Sequence, residues 1–237
     1  MKGSQINKKR KPYSLAAILL VLLTTTVAYG QDKKWDFNAG ADLVSSYIWR
    51  GIYQMGMSFQ PAMSLSAYGL TLECWGSTDF SAYGKELDLT LSYEKDGFWV
   101  SLFDGWWSGE GESFFKERSS HYYEAGLGYT FQRRFPLSVE INTMFLTEGD
   151  KKANGKPLYS TYIAARYPFT LKNMNCEAGI GISPWSGLYG DNFKVVNITA
   201  RATRSLQLSE NYALPVFVEL ILSPAQDNAY LVFGLKF

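Results

Sequence analysis

The segment AYLVFGLKF, Ala229–Phe237, decides how the rest of the chain is read. Side chains along a strand point alternately to opposite faces. Here Leu231, Phe233, Leu235 and Phe237 share one face, and Tyr230, Val232, Gly234 and Lys236 share the other. The same alternation recurs upstream. Leu87, Leu89, Leu91 and Tyr93 alternate with Asp88, Thr90 and Ser92, and Tyr123, Ala125, Leu127, Tyr129 and Phe131 alternate with Glu124, Gly126, Gly128 and Thr130. Val196, Ile198, Ala200 and Ala202 alternate with Asn197, Thr199, Arg201 and Thr203. Helical periodicity is nearly absent. The pattern predicts twelve strands, near 35–47, 57–68, 70–76, 84–94, 98–107, 119–131, 136–147, 158–169, 173–183, 193–207, 212–223 and 228–237.

The connections between these segments are unequal in a regular way. IWRGIYQMG, STDFSAY, SGEGESFFKERS, EGDKKANGKP, PWSGLYGDN and SPAQ alternate with short links near Gly69, EKDG, QRRFP, TLKN and QLSEN. Long loops at one end and short turns at the other are the arrangement of outer-membrane barrels, which also have an even strand count in bacterial single chains. A soluble antiparallel sandwich buries one face and exposes charge on the other. This chain instead pairs an apolar, aromatic face with a polar face rich in small residues, which suits lipid outside and a polar lumen inside. The expectation is an all-β fold: a transmembrane, antiparallel, up-and-down β-barrel of about twelve strands. An alternating last strand with a terminal aromatic, Phe237, resembles the strand that the barrel-assembly machinery of the outer membrane reads.

The N-terminus supports export. Lys2, Lys8, Lys9, Arg10 and Lys11 precede the apolar run Leu15–Val27, and Ala28 and Gly30 place small residues at a cleavage site. Residues 1–30 therefore read as a cleaved signal peptide and 31–237 as the barrel, located in the bacterial outer membrane. Their removal turns the formal charge of +1 into −4. A mildly acidic chain with no basic run argues against nucleic acid as a partner. Cys74 and Cys176 share the parity of lipid-facing neighbours on well-separated segments, so they are expected to be free thiols.

Inward parity collects Asp36, Asp42, Glu73, Asp88, Glu124, Glu140, Glu177 and Glu219, with Arg166 and Arg201 opposing them. An Arg166–Glu177–Arg201 cluster across the wall is one arrangement. Acidic lumens favour cations, whereas buried charges also serve structure by pairing with one another; both readings stay open. Arg50, in SSYIWRGIYQMG (Ser45–Gly56), continues the parity of Asp42 and Ser46 and is expected to point into the lumen. Its alternative roles are an ion pair that fixes the first loop and a part in solute selectivity.

Catalysis has little support. His121 is the single histidine, followed by two tyrosines rather than by the His-x-Ser spacing of lipid-hydrolysing barrels. It reads as a residue of the outer rim. One histidine and two outward cysteines leave only carboxylates as metal ligands. Calcium on Glu148 with Asp150 is weak, because no loop has an EF-hand order. No cofactor and no enzymatic activity are expected.

VSSYIWRGIYQ (Val44–Gln54), QPAMSLS (Gln60–Ser66), CWGSTDF (Cys74–Phe80) and ELDLTLSY (Glu86–Tyr93) occur in that order. This set resembles the TorF-type porin family over about residues 40–93, through a Ser-x-Tyr-x-aromatic-Arg-Gly element, a Pro-containing second strand, a Trp-x-Ser stretch and a Glu-x-Asp strand. The resemblance implies an outer-membrane barrel and a small channel, without a substrate or catalytic residues to carry over. The expected function is a porin-like channel for passive diffusion of small polar solutes, weakly preferring cations, among outer-membrane lipids. The alternatives are a non-conducting accessory barrel and, third, a lipid-modifying enzyme.

Overall fold

A computed structural model describes residues 35–81, 84–108, 114–115, 121–132, 135–147 and 149–237. The signal-peptide reading of residues 1–30 and the Glu148 proposal lie outside the described residues. Among the described residues fourteen strands form: β1 (Asp36–Val44), β2 (Tyr47–Trp49), β3 (Ile52–Met55), β4 (Ser58–Ala67), β5 (Leu70–Thr78), β6 (Lys85–Lys95), β7 (Phe98–Ser108), β8 (His121–Thr130), β9 (Ser138–Phe145), β10 (Thr161–Leu171), β11 (Met174–Ser183), β12 (Lys194–Ser209), β13 (Tyr212–Ser223) and β14 (Asn228–Lys236). Twelve of them, all but β2 and β3, close into an antiparallel barrel in which each strand pairs with its sequence neighbour and β1 pairs with both β4 and β14. The twelve segments expected from alternation are these twelve wall strands.

The turns explain the meander. At the end that holds the C-terminus, Tyr68–Gly69 and Asp96–Gly97 are two-residue links with positive φ at both positions (54° and 82°; 53° and 85°). That is the type I′ geometry whose twist matches paired strands. Closure is short at the seam. β1 and β14 share only the pairs Asp42↔Lys236, Leu43↔Leu235 and Val44↔Gly234, extended by mutual backbone hydrogen bonds between Ala41 and Phe237.

The outer face of the wall is apolar. Met63, Leu65, Leu89, Leu102, Leu127, Ile180, Leu220, Leu231 and Phe233 are all exposed on it, a surface far larger than the patches that soluble monomers tolerate. Cys74 is half-buried and Cys176 buried, and both are free.

The interior departs from the expectation of a wholly polar lumen. Val44, Phe217, Ile221 and Val232 form one buried apolar cluster, packed by Tyr47, Ile48 and Tyr230. Tyr162, Ala164, Tyr189 and Val196 form another, packed by Trp49 and Ile52. Val196 was expected on the lipid face. The pairing runs Gly181↔Asn197 and then Ile182↔Val195, so Val196 is the extra residue of a β-bulge. A bulge breaks the period-two rule locally, and Val196 and Asn197 are both buried as a result.

Candidate functional site

Four of the five partly buried residues that pack these clusters, Tyr47, Ile48, Trp49 and Ile52, come from residues 45–57, which include the expected outer loop 48–56. It folds instead as a hairpin, with Trp49↔Ile52 paired and Arg50–Gly51 at the tip. Both tip residues have positive φ, 48° and 77°, again the type I′ pattern. The hairpin lies inside the barrel. Tyr47 packs on Trp75 of β5 and donates a hydrogen bond to Glu86 of β6 at 3.3 Å. Met55 accepts one from Ser77 of β5. A Cβ on Gly51 would lie 2.7 Å from Ser223 Oγ of β13 and 3.0 Å from the Val196 carbonyl oxygen of β12. Only a segment within a closed wall touches all these strands at once.

Arg50 anchors the tip to β8, nearly opposite the strands from which the hairpin hangs. Its Nη1 and Nη2 donate to Glu124 Oε2 and Oε1 at 2.6 and 2.7 Å, and Nη1 also donates to the Tyr189 hydroxyl at 2.6 Å. This is the bidentate geometry that makes guanidinium–carboxylate pairs strong and directional. The guanidinium carbon sits 4.7 Å from the Trp49 ring centre and 4.5 Å from that of Tyr162, so two aromatic rings attract the cation. Tyr162 is held in turn by its hydrogen bond to Asn197 Oδ1 at 2.9 Å. Burial pushes the Tyr189 hydroxyl up, with Arg50 opposing that shift. Tyr189 therefore stays a neutral phenol beside the cation.

The other expected lumen residues sort into pairs and remainders. Asp42 pairs with Lys236 at 3.1 Å, Glu140 with Arg166 at 2.8 Å and Glu219 with Arg201 at 3.7 Å. Arg201 also stacks 3.5 Å over the Phe217 ring. The Arg166–Glu177–Arg201 cluster does not form. Each arginine turns to the strand on its far side, Arg166 to β9 and Arg201 to β13, and Glu177 on β11 stands between them outside both ion pairs. Among the described residues, Asp36 (which accepts a hydrogen bond from Asn38 at 3.1 Å), Glu73, Asp88 and Glu177 have no salt bridge. Neither has Glu86, which shares Asp88's face on β6 and was not among the expected site residues. Its place two positions before Asp88 is the signal that marks it.

A second unexpected pair sits on the outer face. His121 Nδ1 lies 2.7 Å from Asp104 Oδ1, and Nε2 lies 2.9 Å from the Phe114 carbonyl oxygen. Asp104 holds the ring and the Phe114 carbonyl occupies its other nitrogen. The pair thereby ties the β7–β8 connection to the wall. Asp150, considered for calcium, is 3% exposed and its carboxylate accepts from both the backbone N–H and the hydroxyl of Ser160. No group of three or more His, Cys, Asp or Glu residues among those described is placed to hold a metal. In comparisons with known proteins, no family model and no curated protein matches this chain.

Proposed function

We propose that this protein is an outer-membrane barrel through which small polar solutes diffuse passively, with a mild preference for cations, past a constriction made by the β2–β3 hairpin. The observation that carries the reading is the charge of the interior: after pairing, Glu73, Glu86, Asp88 and Glu177 remain as acids without a salt bridge, inside a closed wall with an apolar outer face. Such a face suits lipid because each wall strand is flanked by a paired neighbour on both sides. Carboxylates around a passage favour cations by the field they set up. The ordered elements between Val44 and Tyr93 support kinship with TorF-type porins. The export-like N-terminus supports an outer-membrane location, and the final strand ending at Phe237 supports delivery by the barrel-assembly machinery.

The hairpin favours a second reading, a closed accessory barrel, because it fills the lumen with apolar clusters and is latched by Arg50. One experiment separates the two. Val44 and Ser58 are paired in the wall, so replacing residues 45–57 with Asn-Gly joins them through a two-residue turn. In planar bilayers the native protein is expected to give small stepwise conductance, and the shortened protein a severalfold larger one. A silent native protein beside a conducting shortened one would favour the accessory reading. Silence from both, with the fold intact by circular dichroism, would overturn the channel altogether.

A further inference from the structure

The inserted hairpin does not fill the lumen completely. Between it and the wall formed by β6, β7 and β8 lies a cavity of about 100 Å³. Trp49 comes from the hairpin side, Phe103, Trp107 and Tyr122 come from the wall, and Glu86 brings the one charged side chain to the lining. Trp107 and Tyr122 meet edge to face with ring centres 6.2 Å apart. The walls thus offer several π-faces around a small volume.

The carboxylates at this cavity lack cationic partners. Glu86 Oε1 accepts from Tyr47, while Oε2 is buried with no hydrogen-bond partner. Asp88, two residues along on the same face, is 8% exposed, and its Oδ1 is likewise buried without a partner. Asp88 lies just behind the lining at Gly105, where a Cβ would stand 3.1 Å from that oxygen and 2.6 Å from the Phe103 ring. Glycine at 105 leaves room for the Phe103 ring and the Asp88 carboxylate to pack side by side. A buried carboxylate without a partner is unfavourable, and one partner of opposite charge removes most of the cost.

The chemistry of the walls selects among cations. A hard metal ion takes six or more oxygen ligands, and aromatic rings supply none. Arg50, the nearby cation, is committed to Glu124 and Tyr189. An organic ammonium group fits both features, since its carbons contact ring faces that attract the positive charge while its nitrogen is neutralised by Glu86. The volume is that of about three liquid waters, enough for one nitrogen with a few carbons. We propose that this cavity binds the ammonium head of a small organic cation. Such binding does not require that the barrel conduct.

Tetramethylammonium chloride is the probe, with tert-butanol as a neutral molecule of similar shape, titrated by calorimetry into the full-length mature barrel in non-ionic detergent. Saturable binding of tetramethylammonium is expected, with at least tenfold weaker binding of tert-butanol. Glu86→Gln is expected to weaken tetramethylammonium binding at least tenfold, and Glu177→Gln to leave it within twofold. Trp107→Phe keeps a ring and is expected to bind within about fivefold of the native protein; Trp107→Leu is expected to lose more than tenfold. Strand content by circular dichroism is checked for each variant, and Trp107→Phe serves as the conservative control on folding. No saturable heat with tetramethylammonium overturns the proposal. So does an unchanged affinity in a folded Glu86→Gln barrel, or equal binding of tert-butanol.

Discussion

Replacing Arg50 with methionine removes the charge of the hairpin tip while keeping most of its volume. Glu124 would then face the docked hairpin with no cation, its side chain only 8% exposed. Removing one partner of a buried, hydrogen-bonded ion pair costs about 3–5 kcal/mol. That cost falls on the docked state, because an undocked hairpin lets water reach Glu124. At about 1.4 kcal/mol per tenfold, the docked-to-undocked ratio falls by roughly two to three and a half orders of magnitude. Burial of Met55, worth about 1.5–3 kcal/mol for a side chain of its size, and the packing of Trp49 and Ile52 keep the docked form populated. The variant should therefore open more often without staying open. Hydrogen exchange followed by mass spectrometry reads this directly: peptides covering Tyr47–Met55 should exchange at least a hundredfold faster, with β12 and β13 unchanged. Adding Glu124→Leu removes the stranded charge and should restore most of the protection. Protection in Arg50→Met within twofold of the native protein would refute the view that this pair is the latch.

Gly51→Ala should undock the tip more severely than its size suggests, because the site has φ of 77° and the new carbon meets the Val196 carbonyl oxygen; limited proteolysis within residues 45–57, with an intact wall, checks this. His121→Ala leaves Asp104 facing the outer wall alone, so the thermal midpoint should fall, and His121→Ala with Asp104→Ala should recover most of the loss; equal midpoints for native and single variant would show that the pair contributes nothing. Cys74 and Cys176 are both free, so electrophoretic mobility should be the same with and without reductant, and a reductant-dependent shift contradicts the assigned wall positions. Glu73→Gln should move the reversal potential of any conductance toward zero selectivity, since it removes an inward acid that no salt bridge neutralises.

Alternation made the wall legible because every wall strand has one apolar face, and a one-residue slip would turn that face inward. The same rule failed where the backbone departs from it. At Val196 the bulge turns two consecutive side chains inward, and nothing in VVNITARA marks the extra residue. The pairing of Arg166 and Arg201 depended on which side chain leans toward which neighbour strand, a matter of stagger that parity alone leaves undecided. The hairpin was hidden for another reason. Loops are read as solvated, yet WRG flanked by Tyr47, Ile48, Ile52 and Met55 carries more apolar area than a solvated loop needs, and Gly51 supplies one of the two left-handed positions. Arg50 pointing inward followed from parity, but its partner on β8 lies 74 residues away in sequence and depends on the hairpin crossing the lumen. Asp104 was invisible because an acid on an otherwise apolar face makes sense only once His121 is beside it.

The first and last strands meet over three residue pairs, whereas β1 and β4 meet over nine. The weakest joint in the cylinder is therefore the one next to which the hairpin is rooted. From there the hairpin spans the interior and is bolted to β8 by Arg50 and Glu124. In mechanical language it is a cross-brace: pulling the seam apart would drag its root away from its fixing. Loosening the far end should thus make the cylinder easier to unzip at the seam.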